Sequence, residues 1–177
     1  MTIFKLKKKN DLNFILKPQD IMLGKYLYVK LKKNKKYVPV VWRSFIRKQF
    51  YINAGLSFYP GILHEDVLFT LTGILIAKNT VYINKKYYHY RIHDDSITKT
   101  KINVRNVYGY LICYYEILNF TKKNKFKKRV NKAINLSKNF LKNSIRRYMK
   151  IISEKEKKIL YLKITNHQKK ILSSILK

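Results

Sequence analysis

The sequence predicts an α/β lobe over residues 1–100 and a basic α-helical extension over residues 101–177. Two short runs rich in β-branched and aromatic residues, 80–83 and 87–92, follow a stretch that is apolar almost all round. Such runs are typical of strands, and a helix without a polar face is a buried one. From about Val104 onwards, apolar residues recur at helical spacing with lysines between them, which indicates amphipathic helices.

The remaining elements follow from local signals. Pro18 suits the first turn of a helix, and Gly55 suits the residue that follows one. Ser153 with Glu156 three residues later forms a capping box, which marks a helix start. In the first half we expect a strand or loose lead-in over residues 1–17, a helix over 18–33, a strand or the buried entry into a helix over 37–46, and a short helix over 47–54. The buried helix then runs from 65–66 to about Lys78, followed by a turn at 84–86 and a loop at 93–98. In the C-terminal part we expect a basic break at 122–128 and a last apolar segment at 171–176.

The composition excludes several classes of protein. With 177 residues, the chain suits one domain, or one compact lobe plus a helical extension. Its 46% apolar content is enough for a core, so it is not a disordered polybasic tail. A single cysteine, Cys113, excludes an internal disulfide and a cysteine-cluster metal site, and its apolar and aromatic neighbours predict a core position. We expect no signal peptide, because no sustained apolar stretch follows the N-terminal lysines, and no apolar run approaches the roughly 20 residues that span a bilayer.

The formal charge of +31 has three readings. Binding to nucleic acid and attraction to an anionic membrane surface are two of them. The third is a coding bias towards A- and T-rich codons, because the excess is nearly all Lys, alongside heavy use of Asn, Ile and Tyr. Nucleic acid is the least favoured partner, since Arg, the residue suited to bidentate phosphate and base contacts, is scarce.

The segment His64-Glu65-Asp66 is the least expected feature of a chain with nine acidic residues and 40 basic ones. In one reading the carboxylates of Glu65 and Asp66 only cap the buried helix, where backbone N–H groups and the helix dipole favour negative charge. In the other, one carboxylate is held rigidly at a cleft as a general base, and the other carboxylate and His64 orient it or the substrate.

Two further positions have both a structural and a functional reading. Trp42, the only tryptophan, predicts either a core anchor or a wall of a sugar or acceptor pocket. Asp94 and Asp95 lie in the 93–98 loop, which is either a solvated turn region or a lid that brings His93 or Arg91 towards a diphosphate.

Several short motifs occur together in order along residues 18–100. They are Val41-Trp42-Arg43, Phe45-Ile46-Arg47-Lys48-Gln49-Phe50, Phe58 with Gly61-Ile62, His64-Glu65-Asp66 with Phe69, Ala77-Lys78, Val81-Tyr82-Ile83-Asn84, and Tyr87-Tyr88 with Tyr90-Arg91-Ile92 and Ser96-Ile97. Together they resemble the C-terminal half of the catalytic domain of bacterial family 2 glycosyltransferases, which build lipo-oligosaccharide, capsule and other surface glycans.

The resemblance implies a partial GT-A fold, that is, the acceptor-side half of an α/β nucleotide-sugar transferase with an incomplete sheet. It implies inverting sugar transfer from a nucleotide-sugar donor to a glycan or lipid-linked acceptor, with Asp66 as general base. Glu65 would support that base, and His64 would line the acceptor site. The implied location is cytoplasmic, peripheral on the inner membrane.

The sequence also departs from the family pattern. The family's first strand, its nucleotide-binding loops and its D-x-D metal motif do not occur in these residues. We therefore expect a fragment or split gene product that is inactive or nearly so alone. The complete enzyme is expected to use a divalent cation (Mg²⁺ or Mn²⁺), and a separate chain is one candidate source of the donor-binding half. The alternatives are a Lys-rich nucleic-acid- or membrane-surface-binding module and a partner-docking protein, both without catalysis.

Overall fold

Helices make up most of the chain in the computed structural model, which describes residues 2–4, 20–83, 88 and 101–177. The helices are α1 (Gly24–Lys33), α2 (Lys48–Asn53), α3 (Glu65–Ile76), α4 (Val104–Lys123), α5 (Lys128–Met149), α6 (Glu154–Lys163) and α7 (Asn166–Leu176). The strands are β1 (Thr2–Phe4), β2 (Ser44–Phe45) and β3 (Val81–Ile83), and a 3₁₀ turn covers Val41–Arg43.

The three strands form one small sheet in the order β2-β1-β3. Strand β1 pairs antiparallel with β2, Thr2 lying opposite Phe45, and parallel with β3, Thr2 lying opposite Val81. The first strand therefore lies in the middle of the sheet, between two strands that come much later in the sequence. A strand at 2–4 agrees with the first of the two readings for residues 1–17.

Helix α3 is the buried helix that the sequence predicts. Its buried residues lie on several sides, because it packs against α1 on one side and α4 on another. The helix ends at Ile76 rather than near Lys78, since Ala77 adopts an extended conformation. The N–H of Gly24 then donates to the Ala77 carbonyl at 2.8 Å, which attaches the end of α3 to the start of α1.

The helix predicted over residues 18–33 begins later, at Gly24. Met22 instead forms an antiparallel bridge with Thr80, with N···O distances of 2.9 and 2.8 Å in the two directions. Gly24 is the first helical residue, and a Cβ there would collide with the carbonyl oxygen of Ile74. Glycine thus allows the close approach of α1 to α3.

The helical C-terminal part is confirmed. Helix α4 packs along α5, and α6 and α7 pack against α4. The capping box of Ser153 and Glu156 opens α6 as expected, and residues 124–127 separate α4 from α5. Buried residues of α1, α3 and α4–α7 belong to one hydrophobic core, to which both predicted regions contribute. Cys113 lies within it and is buried, as predicted.

Two other expectations are partly met. The short helix before Gly55 is confirmed as α2, and residues 37–46 form an extended segment, a 3₁₀ turn and a two-residue strand rather than one strand. The predicted turn at 84–86, the strand at 87–92 and the loop at 93–98 lie outside the described residues, apart from Tyr88.

Candidate functional site

The turn before α3 holds its residues in an uncommon conformation. His64, the residue before the helix, has φ 68° and ψ 24°, the left-handed region that non-glycine residues seldom occupy. Its side chain makes no capping hydrogen bond to the helix. Its carbonyl accepts from the N–H of Val67 at 3.0 Å, so α3 begins at once with Glu65 and Asp66 in its first turn.

Asp66 is half-buried, and its ionisation is perturbed. Burial, and then the neighbouring charge of Glu65, raise the pKa of the Asp66 carboxyl to about 6. Hydrogen bonds from the backbone N–H groups of Val67 and of Asp66 itself act in the opposite direction but are weaker. The loss of hydration therefore outweighs the favourable helix terminus.

His64 lies against the first turns of α4. Its ring stacks on Tyr110, with the ring centroids 4.0 Å apart and the planes 1° from parallel. Its Nε2 lies 3.4 Å from the amide nitrogen of Asn106. The Asn106 amide oxygen accepts the N–H of Asn103, so the amide presents its N–H₂ group to the histidine. His64 Nε2 is then the acceptor, and the neutral ring carries its proton on Nδ1.

Burial has the same consequence for His64 and Tyr110, which both stay uncharged near neutral pH. It lowers the pKa of His64, against the smaller opposing effect of Glu65. It raises the pKa of Tyr110 to about 12, with further contributions from Tyr148 and, more weakly, from Asp66. Around Asp66 the structure thus places an aromatic hydroxyl and an uncharged imidazole.

A second set of polar groups fixes the backbone of the first turn. Thr70 Oγ1 donates to the Asp66 carbonyl at 2.6 Å, and Tyr37 lies 3.3 Å from that hydroxyl. Because the Thr70 proton is engaged with Asp66, Tyr37 is the donor to Thr70. Burial raises the pKa of Tyr37, whose hydroxyl is therefore protonated. On the opposite side, Cys113 Sγ donates to the His64 carbonyl at 3.4 Å.

Helix α4 reaches this turn because it has a glycine at the contact. A Cβ on Gly109 would collide with the carbonyl oxygen of Leu63, the residue before His64. The missing side chain brings the backbone of α4 against the turn and places Asn106, Tyr110 and Cys113 around His64. The site is therefore built on rigid elements, as precise chemistry requires.

A small cavity lies beside the same helix. It has a volume of about 140 Å³ and is lined by Lys32, Tyr37, Pro39, Val67, Leu71, Ser137 and Phe140. Val67 follows Asp66 directly, and Tyr37 is held by Thr70. The cavity is aromatic and apolar on most sides with a single ammonium group.

Trp42 is half-buried and belongs to the 3₁₀ turn, which packs against α3. Its ring stacks on Tyr88, with centroids 4.5 Å apart and an interplanar angle of 19°. Tyr88 is 48% exposed, so the pair presents an aromatic face to solvent. The other two predicted substrate contacts, Arg91 and His93, lie outside the described residues.

Among the described residues, metal-ligating side chains do not cluster. Across residues 2–4, 20–83, 88 and 101–177, no three His, Cys, Asp or Glu side chains come together in a group that could hold a metal.

Sequence reasoning missed the residues of α4 and the Tyr37–Thr70 pair. One signal was available, since an isolated glycine inside a helical pattern, here Gly109, indicates a close backbone approach. The Asn103 capping box, whose Asn106 contacts His64, was a second signal. Neither says which distant segment makes the contact.

Comparisons of the chain with models of protein families, with curated proteins and with solved structures find no match. In the part of the chain that the structure describes, no helix combines the length and the apolar character needed to cross a membrane.

Proposed function

We propose that this chain is the acceptor-side part of an inverting, GT-A-type family 2 glycosyltransferase that transfers a sugar from a nucleotide-sugar donor to a bacterial surface glycan or its lipid-linked precursor. The proposal rests on the sequence resemblance and on one observation, the environment of Asp66. A carboxylate in the first turn of a helix ordinarily has a lowered pKa, because the helix terminus favours its charge. Burial raises the pKa of Asp66 to about 6 instead.

That raised pKa suits a general base. A base works best when its pKa lies near the working pH, because it is then ionised and still basic enough to take a proton. An acceptor hydroxyl is a poor nucleophile until its proton is removed. In the proposed step, Asp66 takes that proton as the hydroxyl oxygen bonds to the anomeric carbon, and the nucleoside diphosphate leaves from the opposite face of the sugar.

The neighbours of Asp66 have supporting roles in this proposal. The charge of Glu65 helps to raise the pKa of Asp66, which makes Glu65 a positioning residue. His64, with its proton on Nδ1, is a neutral hydrogen-bond donor for an acceptor hydroxyl. The exposed Trp42–Tyr88 face is suited to stacking on a sugar ring. Arg91 and His93 remain the predicted contacts to the donor diphosphate.

The donor side must come from elsewhere in this proposal, since no D-x-D motif occurs in these 177 residues. We expect DNA upstream of the Met1 codon to encode a strand–loop–helix unit and a D-x-D motif. The chain alone should not transfer sugar from labelled nucleotide sugars to lipo-oligosaccharide. Transfer by the chain alone would contradict this division of the site.

The decisive experiment combines this chain with that upstream product and measures transfer. Replacing Asp66→Asn should lower the rate about 10²- to 10⁴-fold, the usual contribution of a general base. Asp20→Asn is the matched control, because Asp20 is an exposed aspartate and should retain the full rate. Full activity of D66N would overturn the role of Asp66.

A binding experiment on the chain by itself tests the acceptor site separately. Saturation-transfer NMR with lipo-oligosaccharide core oligosaccharides should show that they bind, and Trp42→Ala, which removes the proposed stacking face, should reduce that signal. Oligosaccharides that do not bind, together with DNA upstream of Met1 that encodes nothing related, would favour the alternative of a basic module without catalysis.

A further inference from the structure

A groove lies between the end of α1 and the start of α5. Its volume is about 620 Å³, and its walls come from the last turns of α1 and the first turns of α5. It is lined by five basic residues and by apolar or amide groups: Lys30, Lys32, Lys33, Arg129, Lys132, Val29, Asn34, Ala133 and Leu136. None of these nine lining residues is acidic.

The walls of the groove are held in place from inside the protein. The buried hydroxyl of Tyr28, on α1, donates to the Ala133 carbonyl at 3.0 Å and lies 2.8 Å from the Ser137 hydroxyl, both on α5. Because α1 and α5 are joined here, the backbones that carry the cations of the two walls are held at a fixed distance. Burial lowers the pKa of Lys32, the side chain that also reaches the cavity beside α3.

The positive charge that lines the groove favours an anion with several oxygen atoms. Lysines and an arginine surround the space on both walls, and each can donate to a phosphate. An anionic phosphate is the ligand that this combination fits.

The surface beside the groove is apolar. Leu136 is 49% exposed at the groove, and Phe140, one turn further along α5, is 53% exposed. Apolar side chains next to lysines are the pattern of proteins that bind at a membrane interface, where the apolar groups enter the acyl region and the lysines meet the headgroups. Four of the five cations are Lys, which lacks the planar fork that Arg uses to read bases.

We propose that the groove between α1 and α5 binds the phosphate headgroup of an anionic phospholipid, with Leu136 and Phe140 inserted into the membrane interface. This docking surface does not depend on sugar transfer or on Asp66. Lys32 lines both the groove and the cavity next to Val67, so a membrane bound at the groove lies beside the cavity at the start of α3.

Co-sedimentation with vesicles tests the proposal on the full chain. The protein should bind vesicles of phosphatidylcholine and phosphatidylglycerol in equal amounts, and not vesicles of phosphatidylcholine alone, at physiological salt. The double variant Lys33→Gln/Lys132→Gln removes one exposed lysine from each wall. It should weaken binding to the mixed vesicles by about 30-fold, because each lysine contributes about fivefold.

Matched controls separate the groove from the overall charge. Lys155→Gln/Lys170→Gln removes the same charge from exposed positions on α6 and α7 and should weaken binding by less than about threefold, as expected for distant screened charges. Leu136→Ser should reduce binding, whereas Leu162→Ser, at a residue that is 88% exposed on α6, should not. Equal losses in the two lysine pairs would overturn the groove and leave only non-specific attraction.

Two further outcomes would also overturn the proposal. In one, inorganic phosphate or glycerol phosphate shifts the NMR signals of Lys32 and Arg129 but the mixed vesicles do not bind, so that the site serves a free phosphate. In the other, a single-stranded oligonucleotide binds in the groove and the vesicles do not, so that the partner is a nucleic acid. All variants are at exposed positions, and thermal unfolding should show them folded like the wild type.

Discussion

Helices α3 and α6 begin with the same sequence signal and use it differently. Each carries two acidic residues in its first turn, Glu65 and Asp66 in α3, and Glu154 and Glu156 in α6. In α6 the acid belongs to a capping box, in which Glu156 accepts the Ser153 N–H at 2.9 Å. This bond lowers the pKa of Glu156.

In α3 the same arrangement has no capping box. His64 precedes the helix in a left-handed conformation, without a side-chain cap, and burial raises rather than lowers the pKa of Asp66. Acidic first turns are therefore not equivalent. An acid that stabilises a helix is charged and hydrogen-bonded at the surface, whereas an acid that is held partly out of water works against stability and is a candidate for chemistry.

The largest expected effect concerns the close contact between α4 and the turn before α3. Gly109→Ala places a Cβ against the Leu63 carbonyl, which cannot move without shifting the residues before α3. We expect a loss of about 3 kcal/mol in the free energy of unfolding, measured by urea denaturation. Helix propensity alone would give a gain of about 1 kcal/mol, so the sign of the change is decisive. Gly61→Ala is the control, since a Cβ there meets no atom within 4 Å and adds only backbone strain of about 1–2 kcal/mol.

Next in size is the cap of α6. Ser153→Ala removes the hydroxyl that accepts the Glu156 N–H and should cost about 1 kcal/mol, or roughly 2–4 °C in Tm. Ser173→Ala, at an exposed serine within α7, is the matched control and should cause no loss. An unchanged Tm for S153A would mean that the two acidic first turns do not differ as the comparison states.

Asp66→Asn should change the stability in the opposite direction, raising it. The folded-state pKa of Asp66 is raised to about 6, so the folded protein binds this proton more tightly than the unfolded chain does. The stability that the proton contributes is present at low pH and is lost as the pH rises through that value. D66N should therefore raise Tm by about 2–4 °C at pH 7, after screening of this half-exposed group, and by nothing at low pH. A lower Tm at pH 7 would show that Asp66 is only a cap.

The smallest effect is a shift in the pKa of a single carboxyl group, which a direct titration measures without any change in stability. Carboxyl ¹³C NMR should give Asp66 a pKa of about 6 and Glu156 a pKa below its ordinary value. In Glu65→Gln the pKa of Asp66 should fall but stay raised, because burial is the larger cause and the Glu65 charge the smaller. An ordinary pKa for Asp66 in the wild type would remove the main structural support for a general base.

The sequence predictions succeeded where the signal lies within a few residues and failed where it depends on a distant segment. The start of α3, the capping box of α6 and the break between α4 and α5 depend on residues within a few positions of one another, and they were predicted. The start of α1 was wrong because Met22 pairs with Thr80, 58 residues away. A local helix pattern contains no information about such a partner.

The sequence alone determined that this chain is mostly helical towards its C-terminus, strongly basic, and marked by an acidic pair at the head of an apolar helix. Those properties depend on periodicity, composition and helix-start signals, which are local. Only the tertiary structure decided that Gly109 brings Tyr110 and Asn106 against His64, that Asp66 is held partly out of water, and that the cations of α1 and α5 surround one groove. Burial and the packing of distant segments set those features, because desolvation and charge crowding depend on which surfaces meet in the fold.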